Sequence, residues 1–255
     1  MTGEAKHDPD TVAALDEDAE PVDTSELVDT EPIDADVVLF DLDGTLVDTM
    51  RLYMQCYREA AEPYIRTDLT EEEIRSHKPR SEVRFLQYLT EPEDFEDCLA
   101  DFYRIYEQRH AEFFDGIYQG VPELLEALRS AGRTVGIVTG KSRRSFEVTA
   151  AATALGPFDA LVLDDDVAEP KPHPEGLLQA LKALDADPDD AIYVGDTMGD
   201  MEAAASAGIR GVAALWANRR KPVRQRRYAE LARAAGATVV ATPEQLARRL
   251  GLRED

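Results

Sequence analysis

From Val121 to the C-terminus the chain alternates two patterns, and this alternation constrains the fold more than any other feature. "PELLEALRSAG" leads into "TVGIVTG", "RSFEVTAAATALG" into "ALVLDDD", "PEGLLQALKAL" into "AIYVGD", "MEAAASAG" into "GVAALWA", and "YAELARAAG" into "TVVATPEQLARRL". The first member of each pair spaces its apolar residues as a helix does, and the second opens on a short apolar run of strand length. Parallel strands need a crossover between them, so helices alternating with strands specify a parallel sheet covered on both faces, an α/β fold. One further strand stands apart, at "VVLF", residues 37–40. The stretch between is helical in spacing: "RLYMQCYREAAEPYI", "SEVRFLQYLT" and "PEDFEDCLADFYRIYEQRHAEFF" contain no convincing strand. We therefore expect a core made of residues 36–49 and 116–255, with residues 50–115 inserted as an all-helical cap.

Residues 1–35 carry 12 acids and one Lys, with scattered Pro and no sustained apolar period. Such a segment buries too little to offset its ordering entropy and is expected to be a disordered acidic tail. Over the whole chain 52 acidic residues face 28 basic ones, a formal charge of −24, which argues against nucleic acid or an anionic membrane as partner. Of the basic residues, 22 are Arg and 6 Lys. A GC-rich codon bias accounts for the Arg but not for the acidity, so adaptation to a halophilic cytoplasm is the expectation. Cys56 and Cys98 sit in helix-like stretches, no apolar leader is evident, and no run approaches membrane-spanning length. The expected setting is a reducing cytoplasm.

In open parallel sheets functional groups collect beyond the carboxyl ends of the strands. The polar candidates lie there: Asp41 and Asp43 after "VVLF", Thr139 after "VGIV", Asp164 to Asp166 after "ALVL", and Asp196 after "AIYVG". Asp41, Asp196 and Asp200 form a donor set for a hard divalent cation such as Mg²⁺. Lys171 of "EPKPHPEG", Thr139 and the backbone N–H groups around Gly140 can neutralise a phosphate dianion. A turn at Gly44 can aim Asp43 away from Asp41, so that one carboxylate attacks phosphorus while the other handles protons. Lys141 belongs either near the phosphate or the cap rim, or on an exposed helix start.

"DLDGTLVDT", "VTGK", "KPHPEG" and "GDTMGDM", in that order and with a helical insert after the first, resemble the haloacid dehalogenase-like superfamily, in particular its phosphoglycolate phosphatase-like members. The resemblance covers about residues 36–250. It implies a Rossmann-like, doubly wound core and an aspartyl-phosphate mechanism. In that mechanism Asp41 is the nucleophile and Asp43 the general acid/base, whose backbone carbonyl also ligates Mg²⁺. Asp196 and Asp200 complete the metal site, and Thr139 and Lys171 hold the phosphate. The family's dehalogenases lack the second aspartate of the first motif, so Asp43 points to phosphate chemistry.

Several other features carry less. "GIVTGKS" imitates the end of a P-loop, but Val135 stands where that loop needs its first glycine. Asp164 to Asp166 read as a solvated loop. His7, His77, His110 and His173 show no metal-binding spacing, although His173 lies close to Lys171 in sequence. "RRKPVRQRR" (219–227) can steer an anionic substrate or simply pair with neighbouring acids. Arg51, Arg80 and Arg84 in the cap are candidates to meet the far end of a substrate such as phosphoglycolate. The expected partner is a small phosphorylated metabolite, and the expected assembly a monomer or homodimer. Competing activities are a phosphomutase or an inorganic pyrophosphatase of the same fold, and, from a different class, a regulatory phospho-acceptor domain.

Overall fold

The computed structural model describes residues 26–65, 69–70, 73–74, 81–218 and 222–252. Six strands form one parallel sheet: β1 (Val37–Phe40), β2 (Thr134–Val138), β3 (Ala160–Val162), β4 (Ala191–Gly195), β5 (Arg210–Ala214) and β6 (Thr238–Val240), in the order β3-β2-β1-β4-β5-β6. β1 lies at the centre because all four of its residues are apolar and buried, and a strand covered on both faces needs that composition. It pairs with β2 through Phe40 and Ile137 and with β4 through Phe40 and Val194. The winding reverses at β1, so a crevice opens beyond its carboxyl end, between β2 and β4.

Helices α4 (Val121–Ser130), α5 (Arg143–Thr153), α6 (Glu175–Leu184), α7 (Met198–Ala207), α8 (Pro222–Ala234) and α9 (Pro243–Arg249) alternate with the strands as the periodicity requires. One apolar cluster joins Phe40, Ile137 and Val194 to Leu124, Leu128 and Leu246. A second joins Leu39 and Tyr193 to Leu177, Leu181 and Ala203. The sheet is thus covered on both faces, the doubly wound α/β arrangement expected from the sequence.

Three described helices precede α4: α1 (Met50–Ala61), α2 (Glu82–Leu89) and α3 (Phe95–Phe113). They bury a cluster of their own around Leu52, Tyr57, Phe85, Leu86, Phe102 and Tyr106. The chain enters and leaves this helical unit along adjacent paths, with Asp48 N–H donating to Gly116 O at 2.8 Å and Asp115 N–H to Asp48 O at 3.1 Å. Cys56 and Cys98 are free and buried within it, and burial pushes the Cys98 thiol up to about 11. No helix among the described residues is long and apolar enough to cross a membrane.

The acidic tail was expected to run to residue 35, but Leu27, Ile33 and Ala35 within it are buried. Residues 1–25 lie outside the described residues. Leu27 inserts among Met201, Leu215, Tyr228 and Val239, while Ile33 and Ala35 join the main cluster. Asp29 N–H donates to Val239 O at 3.1 Å, and Val239 N–H returns a bond to Asp29 Oδ2 at 2.7 Å. This strap occupies backbone groups of β6, an edge strand that would otherwise stand open. Composition conceals the packing because three apolar anchors are spread among acids. Replacing Ile33 by Ala should cost about 2–4 kcal/mol in urea unfolding. An unchanged midpoint would contradict the placement of the strap in the core.

Candidate active site

Asp41 follows β1 directly, and its N–H donates to Val194 O at 2.9 Å, extending the β1–β4 ladder by one residue. Its side chain is thereby aimed into the crevice between β2 and β4. Single ligand oxygens of Asp41, Asp196 and Asp200 all lie within 4.8 Å of one another. Two glycines permit this approach. Gly44 has φ +81°, and a Cβ there would strike the Asp196 carboxylate. At Gly195 a Cβ would sit 2.5 Å from the Cβ of Asp200.

Asp200 is fully buried and has two tasks. It closes the N-terminus of α7 as a capping box, Oδ2 accepting from Thr197 N–H at 3.0 Å and from Thr197 Oγ1 at 2.6 Å. Its Oδ1 accepts from Lys171 Nζ at 2.7 Å. Asp200 thus serves the helix start through Oδ2 and Lys171 through Oδ1 while lying in the acidic cluster. Lys171 Nζ also lies 3.0 Å from Asp41 Oδ1, yet no hydrogen bond is aligned on that buried oxygen. Tyr193 completes the lysine's surroundings, its hydroxyl accepting from Nζ at 2.9 Å and donating to Val138 O at 2.6 Å. Tyr228 braces the loop after β4 by donating to Gly195 O at 3.0 Å. Neither tyrosine stands out in the sequence, since both sit within ordinary apolar patterns.

Burial raises the Asp41 carboxyl to about 6; Lys171 opposes the rise, and Asp200 and Asp43 add to it. Asp196 is pushed well above the carboxylate range, by burial first and then by Asp200 and Asp41. For Lys171, burial alone would lower the pKa, but Asp200 and Asp41 outweigh it and hold the ammonium well above its usual value. Three clustered carboxylates thus face one ammonium, which pairs with two of them, and one buried oxygen is left without a hydrogen bond. An all-oxygen donor set short of positive charge fits a hard divalent cation.

Asp43 stands apart from this cluster. Where the chain begins the turn at Gly44, its carboxylate accepts from Thr49 Oγ1 at 2.7 Å and from Lys141 Nζ at 3.1 and 3.2 Å. The two aspartates of "DLD" therefore occupy different environments, as the turn suggested. Thr139 ends β2 beside β1 and is buried, and a cleft lined by Thr139, Gly140, Glu169 and Lys171 adjoins it.

Lys141 lies at the seam between cap and core, as the cap-rim expectation has it, and is not an exposed helix-start lysine. Its side chain is 0% exposed, lies over the rings of Tyr53 and Tyr106, and donates to Tyr53 OH at 2.6 Å. Burial would lower its pKa, but Asp43, Tyr106 and Glu82 override that and raise it. The partners that draw it inward are 98 and 59 residues away in sequence, so its GKS neighbourhood offers no clue. Asp165 and Asp166 are exposed after β3, as expected of a solvated loop, whereas Asp164 is half-buried against the cap. Asp164 accepts from Ser81 Oγ of the cap at 2.5 Å, and Asp165 and Asp166 hold Arg143.

Of the cap arginines, Arg51 pairs with Asp115 at 2.6 Å and Arg84 donates to Ala168 O at 2.6 Å; Arg80 lies outside the described residues. His110 is buried against Thr149, His173 Nδ1 accepts from Glu175 N–H, and His7 and His77 lie outside the described residues. In the basic run, residues 219–221 also lie outside them, while Arg226 and Arg227 are exposed on α8.

Residues 38–214 match the family model described as haloacid dehalogenase-like hydrolase. The chain belongs to this family. As a haloacid dehalogenase-like hydrolase it is 33% identical over 180 residues to pyrophosphatase PpaX of Bacillus thuringiensis (strain Al Hakam), covering 70% of this chain and 82% of that protein. It is 26% identical to CbbY from Rhodobacter sphaeroides in its crystal structure with phosphate, with a TM-score of 0.64 and 71% and 86% of the two chains covered. A mutant of the same CbbY with xylulose-(1,5)bisphosphate gives 26% identity, the same coverage and a TM-score of 0.63.

Close approach of Gly195 to the Cβ of Asp200 is a tight steric condition on this hydrolase site. Gly195→Ala should cost about 1–3 kcal/mol in urea unfolding, from overpacking. A variant as stable as the parent would show that the approach is not required.

Proposed function

We propose that this hydrolase is a Mg²⁺-dependent phosphatase that transfers the phosphoryl group of a small organic phosphomonoester to Asp41 and then to water. One observation carries the reading: Asp41 lies at the sheet's switch point, 3.0 Å from the Lys171 ammonium and clustered with Asp196 and Asp200, while Asp43, two residues on, is held apart. A nucleophile and a proton-handling group on one turn, in unlike surroundings, suit two-step phosphoryl transfer.

Asp41, Asp196 and Asp200 would hold the cation, and the backbone carbonyl of Asp43 is assigned to it by family resemblance. When bound, the cation supplies positive charge that offsets the clustered carboxylates and the phosphoryl oxygens. Lys171 is placed to pair with a phosphoryl oxygen near Asp41, and Thr139 with the Gly140 backbone lines the adjoining cleft. Asp43 would protonate the departing alcohol and then take a proton from the water that attacks Asp41-bound phosphorus. Seating of the cap helices keeps bulk water from the phosphorylated carboxylate.

The substrate assigned is a small phosphomonoester of the phosphoglycolate kind. Arg51 and Arg84, the described candidates for selecting its carboxylate, are both engaged elsewhere. Inorganic pyrophosphate is the second reading, favoured by 33% identity to a protein named for that substrate and by a second buried ammonium, Lys141.

Purified protein should release phosphate from members of a panel of phosphoglycolate, sugar phosphates, nucleotides and pyrophosphate. Chelation should stop turnover and Mg²⁺ restore it. Asp41→Asn should lower kcat roughly a thousandfold or more. Mg²⁺ should also raise the melting temperature of the parent, and less so that of Asp196→Asn. Undiminished turnover in chelator would remove the cation from the account, and full activity in Asp41→Asn would remove the nucleophile.

A further inference from the structure

Glu82 opens cap helix α2 and is 2% exposed, although nothing in its sequence context marks it as more than a surface residue at a helix start. Its carboxylate crosses from cap to core. Oε2 accepts from Ser142 Oγ at 2.5 Å and from Ser145 Oγ at 2.9 Å, and Oε1 from Tyr53 OH at 2.5 Å. Ser142 is the N-cap of α5 and accepts from Ser145 N–H, so Glu82 docks on the positive end of that helix. Lys141 Nζ lies 4.0 Å from Glu82 Oε1 while bonded to Asp43 and Tyr53. Tyr53 OH is 3.3 Å from Asp43 Oδ2. A buried, hydrogen-bonded path therefore runs from a cap carboxylate to Asp43.

Adhesion of the cap does not require this path. Burying a charge costs free energy that apolar contact avoids, and the cap already has an aromatic cluster reaching the seam through Tyr53 and Tyr106. What a charged path adds is direction. Lys141, with Tyr53 and Tyr106 stacked about it, has its ammonium set between one carboxylate from each side of the seam.

We propose that Glu82 is a positioning residue for Asp43: acting through Tyr53 and Lys141, it fixes the Asp43 carboxylate away from the Asp41–Asp196–Asp200 cluster when the cap is seated. The inference rests on the proposed proton-handling role of Asp43 and extends it. An acid held in place matters most when the leaving alcohol is a poor one, so the effect should depend on the leaving group.

The test measures kcat and KM of the full chain, of Glu82→Gln and of Tyr53→Phe, with 4-nitrophenyl phosphate and with an alkyl phosphate, glycerol phosphate. Both variants should lower kcat and kcat/KM for the alkyl ester about tenfold or more, with KM within about twofold. The loss with the aryl ester should be several-fold smaller, because nitrophenolate leaves without a proton. Should Glu82→Gln fail to fold, Tyr53→Phe keeps the ring packing and carries the same expectation. Equal losses for both esters, or none, overturn the positioning role while leaving the phosphatase reading intact. A parent protein that releases phosphate from neither ester overturns both.

Discussion

Like charges buried at the carboxyl ends of the central strands are the condition on which the rest of this molecule depends. Asp41 and Asp200 flank Lys171 at 3.0 and 2.7 Å, and Asp43 and Glu82 flank Lys141 at 3.1 and 4.0 Å. Each ammonium is shared by two carboxylates, one arrangement within the core and the other across the seam to the cap. Buried charges persist only where partners are held in place. Here an all-apolar central strand, two close-approaching glycines and a helix capping box supply that constraint. Removing any of these would leave a charge without its partner rather than simply loosen the packing.

The two lysines divide the chemistry in the same way. Lys171 sits with the acids suited to a cation and a phosphoryl group. Lys141 sits with the acid suited to moving protons. Asp43, at the start of the Gly44 turn, is held apart from Asp41 by Lys141, Thr49 and, from the cap, Tyr53. Tyr53 and Glu82 belong to the cap helices, which join the core through the paired segments at residues 46–48 and 115–118, so the proposed placement of Asp43 is tied to cap seating.

Much of this was legible from residue order. Alternating periods are local, so the parallel sheet and the helical insert could be read directly, as could the gathering of Asp41, Thr139 and Asp196 at strand ends. Contacts between distant residues were not legible. For Lys141 the cap rim and an exposed helix start were equally open, because Asp43 and Glu82, which draw it inward, are far off in sequence. Glu82 and Tyr53 lie among ordinary helical residues, and Tyr193 and Tyr228 in apolar patterns, with only their hydroxyls engaged at the site. The strap of residues 26–35 was hidden by its acids, since Leu27, Ile33 and Ala35 have no common period. Arg51 was read by its type, yet Asp115 beside the cap's exit holds it on the surface.

The central claim is that Asp41 receives the phosphoryl group before water does. Hydrolysis of a phosphate ester made chiral at phosphorus with oxygen isotopes tests it most directly, because each in-line displacement inverts the centre once. Two displacements, through Asp41, predict net retention of configuration in the released phosphate. Net inversion would mean direct attack by water and would contradict the account.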